Sequence, residues 1–167
     1  MPRWKALEDP GARQMGLLRR VFESRPFTLL VPDRELVVEG PSGRGVTVRA
    51  ARASDGSFAF VYSPRGERFT VDKSAIPGRR VGEIWWDPRC GVARHFHATD
   101  DAGFQTYTPP TSGRGMDWLL ILESEAARFP LPGALTPASR RSVSSSALTL
   151  SSGTTWSSPA VPERSSS

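Results

Sequence analysis

Val81-Gly-Glu-Ile-Trp-Trp-Asp-Pro-Arg-Cys-Gly-Val-Ala-Arg94 reads as strand, tight turn, strand. Pro88 presets φ for the turn, with Asp87 before it and Gly91 after it. Two β-capable runs joined so closely make an antiparallel hairpin. Adjacent side chains on a strand point to opposite faces. Of Trp85 and Trp86, one is therefore expected in the core, and the other facing out or lying under a loop.

Working outward, the same grammar repeats. Phe27 to Val31 is a short strand or an extended linker, and Leu36 to Glu39 ends at Gly40-Pro41. Val46 to Arg52 alternates and stops at Ser54-Asp55-Gly56. Ser57 to Ser63 alternates strongly and stops at Pro64-Arg65-Gly66, and Arg68 to Asp72 is another short strand. After the hairpin come Phe104 to Thr108 and Trp118 to Glu123. Turns at intervals of about 8–12 residues, with no helical 3.6 period between them, predict an antiparallel β-sandwich over residues 27–125. Its core should draw on Phe58, Phe60, Val71, Ile84, one of the paired tryptophans, Trp118, Leu120 and Leu122.

The flanks differ. Residues 1–26 form a helical segment, with one helix over 9–25. Asp9-Pro10 suits an N-cap and first helical position, and Arg25-Pro26 is a stop. Met15, Leu18 and Phe22 share a face, with Leu17 and Val21 beside them. A lone amphipathic helix of this length is marginal in water, so that face needs a partner. Residues 126–167 are Ser- and Pro-rich, with 12 Ser over residues 129–167, and read as a disordered tail.

The chain has 167 residues, a formal net charge of +5 and one cysteine, Cys90. Residues 27–125 carry 12 Lys/Arg against 13 Asp/Glu, whereas each flank is positive. A nucleic-acid module should concentrate its positive charge on the folded body, so none is expected as partner. A single cysteine excludes an intrachain disulfide. No apolar signal region follows Met1 and no 18-residue apolar stretch exists. This leaves the compartment open: cytoplasmic as the chain is written, secreted if a longer parent is, and with no membrane association expected.

A second signature is Tyr107-Thr-Pro-Pro-Thr-Ser-Gly-Arg-Gly-Met-Asp-Trp-Leu-Leu-Ile-Leu122. Two prolines and two glycines make it a rigid non-helical loop leading into the last strand. Together with the Trp-Asp-Pro-Arg-x-Gly turn it resembles the small C-terminal β-sandwich of apiosidase-like glycoside hydrolases, the module labelled a collagen-binding domain. The resemblance runs from about residue 10 to residue 123, its first part being similar to the stretch that joins barrel to sandwich. It implies an accessory module without the catalytic barrel.

Chemistry-bearing residues are few. An outward Trp86, with Tyr107 and Arg114, would form a sugar- or peptide-stacking surface. The plainer reading of these residues is an aromatic plug and a loop in which Arg114 and Asp117 pair or hydrogen-bond loop carbonyls. Met116 stands where the family leads one to expect a polar residue, often Asn. His95 and His97 share a strand face by simple alternation, but no further ligands accompany them, so no metal is expected and no cofactor is implied. No carboxylate pair, serine elbow or phosphate loop can be drawn. The reading is a non-catalytic accessory sandwich that packs on a glycoside hydrolase barrel. The alternative is a stand-alone module for collagen-like protein or polysaccharide, and an enzyme is the least favoured.

Overall fold

The computed structural model describes residues 10–100 and 103–132. The serine-rich tail, apart from its first residues, lies outside them. One α-helix, α1 (Pro10–Glu23), precedes nine strands. These are β1 (Leu30–Pro32), β2 (Val37–Glu39), β3 (Arg49–Ala53), β4 (Phe58–Ser63), β5 (Phe69–Asp72), β6 (Val81–Asp87), β7 (Val92–Thr99), β8 (Phe104–Tyr107) and β9 (Trp118–Ser124). A six-stranded sheet has the order β1-β3-β4-β9-β6-β7 and a three-stranded sheet the order β2-β5-β8. Every pairing is antiparallel. The fold is thus mainly β, with one helix at its N-terminal side.

The two sheets enclose one core, built on Leu36, Phe69, Val71, Trp85, Trp118 and Leu120 among others. A second apolar layer covers the opposite face of the large sheet. There Val21 of α1 meets Phe58, Phe60, Ile84, Trp86, Leu119 and Ile121. The central strands β4 and β9 are therefore covered on both faces. This explains why Phe58 to Val61 and Trp118 to Leu122 are unbroken apolar runs rather than alternating ones. Each fully buried aliphatic or aromatic side chain contributes about 1.5–3 kcal/mol.

Two expectations are corrected by this second layer. Trp85 and Trp86 do point to opposite faces, but both are buried, at 8% and 1% exposure. Trp85 enters the inter-sheet core, while Trp86 lies beneath α1. The helix is also turned from the face read in the sequence. Val21 is fully buried, with Leu17 and Phe22 partly so, whereas Met15 is 65% and Leu18 37% exposed. Arg25, just past the helix, fixes that rotation. It is 3% exposed, donates to Glu123 Oε2 of β9 at 2.5 Å, and lies over the Phe129 ring.

Candidate functional site

The Trp-Asp-Pro-Arg turn is a closed unit. The Asp87 carboxylate accepts the backbone N–H of Arg89 at 3.0 Å. It also accepts the Arg89 guanidinium through both oxygens, at 2.8 and 2.9 Å. Burial pushes the Asp87 carboxyl up, but these hydrogen bonds outweigh it and hold the group below its ordinary value. The same guanidinium stacks over Trp118, 5.2 Å from the ring centroid, and lies against Met116. Gly91 takes φ +70° and packs directly on Leu17 of α1.

The second signature wraps the turn that joins β4 to β5. Gly66, at φ +61°, sits where a β-carbon would come within 2.0 Å of the Thr111 carbonyl oxygen. Gly113 N–H donates to the Arg65 carbonyl at 2.8 Å, and the Trp118 indole N–H donates to Thr111 Oγ1 at 3.0 Å. The expected pairing of Arg114 with Asp117 is not among the ion pairs of the described residues. Asp117 instead accepts the Tyr62 hydroxyl at 3.2 Å, and Arg114 projects from an exposed loop.

Of the three residues expected to bind, the structure leaves Arg114 on the surface. Trp86 is covered by α1, and Tyr107 is 6% exposed in the inter-sheet core, where it packs against Phe69 and Trp85. Neither offers a face on which a sugar ring could stack. Burial, with the Glu83 carboxylate as a lesser cause, pushes the Tyr107 hydroxyl well above the usual phenol range. The structure thus brings together not Trp86, Tyr107 and Arg114, but the flanks of a groove beside α1. The groove has a volume of about 570 Å³, and Met15, Leu18, Phe22, Tyr62, Trp86 and Leu119 are among the residues that line it. The buried indole N–H of Trp86 has no hydrogen-bond partner among the described residues.

Sequence reasoning missed a buried polar clasp between the sheets. Lys73, 1% exposed, donates to Thr99 Oγ1 at 2.6 Å and to Glu83 Oε1 at 3.3 Å. Thr99 in turn donates to the same Glu83 oxygen at 2.7 Å. The one legible sign was a lone lysine in a body whose other bases are all arginine. The two histidines do not follow simple alternation, because the β6–β7 register shifts between Ile84, opposite Phe96, and Trp85, opposite Arg94. His95 falls at that shift. Among the described residues, no group of three or more His, Cys, Asp or Glu could hold a metal. No helix among them is long and apolar enough to cross a membrane.

This arrangement of strands and turns matches a sequence family described as "Putative collagen-binding domain of a collagenase", over residues 31–123. The chain belongs to that family. Two solved structures with a similar arrangement are glycoside hydrolases. One, titled "Glycoside hydrolase", is 25% identical with a TM-score of 0.68, and the match covers 75% of this chain and 28% of that one. Another, a glycoside hydrolase family 5 structure from Bacteroides vulgatus ATCC 8482, is 26% identical with a TM-score of 0.67. That match covers 74% of this chain and 26% of the hydrolase. The chain thus spans about a quarter of the length of these two hydrolases. No curated protein matches the chain.

Proposed function

We propose that this chain is a non-catalytic accessory β-sandwich of a glycoside-hydrolase-like protein, and that it packs against a catalytic barrel. The observation that carries this reading is one of proportion. About three quarters of this chain matches only 26–28% of each hydrolase, so most of each enzyme has no counterpart here. The groove beside α1 supplies a docking face. Met15 and Leu18 expose apolar surface on a helix whose other side is already seated on the large sheet. Helices carrying apolar surface on two sides are found between two packed bodies. Tyr62 and Asp117 give the rim a hydroxyl–carboxylate pair.

The test is sedimentation velocity of the chain mixed with a family 5 glycoside hydrolase barrel lacking its own sandwich. A complex is expected with the wild-type chain and not with Leu18→Glu. No complex, or a complex untouched by the substitution, would count against barrel docking.

A second reading, a stand-alone binding module, is favoured by the family description alone. Burial of Trp86 and Tyr107 removes the aromatic platform it invoked.

A further inference from the structure

Two turns in this molecule are copies of one another. Ser42-Gly-Arg-Gly45 precedes β3, and Ser112-Gly-Arg-Gly115 precedes β9. Gly43 and Gly113 have φ of +140° and +129°, while Gly45 and Gly115 both have +76°. In each, the residue after the second glycine donates its N–H to the first glycine's carbonyl: Val46 to Gly43 at 3.3 Å, Met116 to Gly113 at 3.2 Å. Thr47 secures the first copy further, bonding both the N–H and the carbonyl of Gly43. Each turn presents an arginine, Arg44 or Arg114, and both are exposed.

The topology sets these two turns at one end of the sandwich. β3 and β9 both run antiparallel to β4 and flank it on either side, so both begin beside its last residues. The β4–β5 turn leaves from that same end with Arg65 and Arg68 at its surface. The loops also touch. Gly113 N–H bonds the Arg65 carbonyl, and Glu39, Pro41, Glu67 and Arg68 line one shallow depression. The four turns at this end (39–47, 64–68, 87–91 and 108–117) carry five arginines against Glu39, Glu67, Asp87 and Asp117. Arg89 is held by Asp87, but none of Arg44, Arg65, Arg68 and Arg114 has an ion-pair partner among the described residues.

We infer that this pole is a docking surface for an anionic polysaccharide, a uronate chain whose carboxylates are met by Arg44, Arg65, Arg68 and Arg114. Guanidinium groups suit carboxylates because their planar donors match the two oxygens. The tight glycine turns hold the arginine backbones rigid, which lowers the ordering cost of binding. Choosing a polysaccharide over nucleic acid rests partly on the hydrolase-module reading. It rests also on two features of the pole. Glu67 and Asp117 interrupt the positive field, which suits a chain of spaced carboxylates better than duplex DNA, with roughly one charge per 1.7 Å. Trp118 and Tyr107, next to these loops, are buried, and Tyr62, with its hydroxyl on Asp117, offers a single ring where base stacking uses several in succession.

The test uses the full chain and polygalacturonate, by isothermal titration at low and at physiological salt. Saturable binding that weakens with salt is expected, with none to fully methyl-esterified pectin. Arg44→Ser/Arg114→Ser should weaken it about tenfold, since each exposed pair is worth up to about 1 kcal/mol. Arg140→Ser/Arg141→Ser, in the basic tail, should leave it unchanged. Absence of binding overturns the proposal, as does dependence on the tail pair in place of the turn pair. Equal or tighter binding of duplex DNA with the same arginine dependence overturns it in favour of nucleic acid. Gly115 and Asp117, beside Arg114, line the α1 groove, so Arg44→Ser/Arg68→Ser, neither of which lines it, is run alongside and keeps this result apart from barrel docking.

Discussion

Gly91 and Leu17 are in such close contact that a β-carbon on Gly91 would stand 2.5 Å from Leu17 Cδ2. The glycine that ends the Trp-Asp-Pro-Arg turn is therefore also the seat of the helix. It locks α1 to the hairpin that carries Trp86, and so keeps that indole covered.

Gly91→Ala is expected to destabilise the chain by about 1–2 kcal/mol, the cost of a left-handed β-carbon plus displacement of a flexible leucine. Gly66→Ala should cost clearly more, because its β-carbon would strike the Thr111 and Met116 carbonyl oxygens, at 2.0 and 2.7 Å, and backbone must move. Urea denaturation of the two variants side by side checks the order.

Trp86→Ala should cost about 3–5 kcal/mol as a large-to-small core substitution. It is a folding variant, not a probe of binding. Near-ultraviolet circular dichroism and thermal melting would show the loss, and a melt unchanged from wild type would contradict the burial.

The Lys73–Glu83–Thr99 clasp makes a double-mutant cycle informative. Lys73→Met alone leaves a buried carboxylate without its cation and should cost about 3–5 kcal/mol. Adding Glu83→Gln should recover much of that loss. Additive losses in chemical denaturation would mean that the pair is not coupled.

Stability should fall at both pH extremes for identifiable reasons. At Asp33 and Asp87, burial pushes the carboxyl up, but hydrogen bonds led by Arg52 and Arg89 respectively bring the net value down. A folded-state value below the unfolded one gives stability that is present above about pH 4 and lost as pH falls through the folded values. Asp87→Asn should flatten this acid limb while lowering stability at neutral pH. Tyr107 is the opposite case, because burial raises its folded value. Its contribution is complete below the unfolded value of about 10 and is lost as pH rises above it. Tyr107→Phe should remove that alkaline limb at little cost, since the hydroxyl has no partner among the described residues. Denaturation midpoints across pH test both.

Much of the fold was legible because each strand is bounded by glycine, proline or aspartate. The hairpin at Val81 to Arg94, the strand at Phe58 to Ser63 and the closing strand at Trp118 all stand within a residue or so of where their turn signals put them. The helix was legible as an element but not in its rotation. Periodicity offered two overlapping faces, and the choice of Leu17 and Val21 came from Gly91 and from the buried Arg25–Glu123 pair, both distant in sequence. Two-sided burial of Trp85 and Trp86 was hidden for the same reason, since a strand's own alternation does not tell whether a helix covers the second face. The Ser-Gly-Arg-Gly repeat went unread in the sequence, because its meaning depends on β3 and β9 running the same way on either side of β4.

The most direct test of the accessory-module account is amide hydrogen exchange of the chain alone and with a family 5 glycoside hydrolase barrel lacking its own sandwich. The account predicts added protection over residues 14–22 and around Tyr62 and Leu119, with the turn bearing Arg44 unchanged. Protection confined to other surfaces, or none with the barrel in saturating excess, would contradict it.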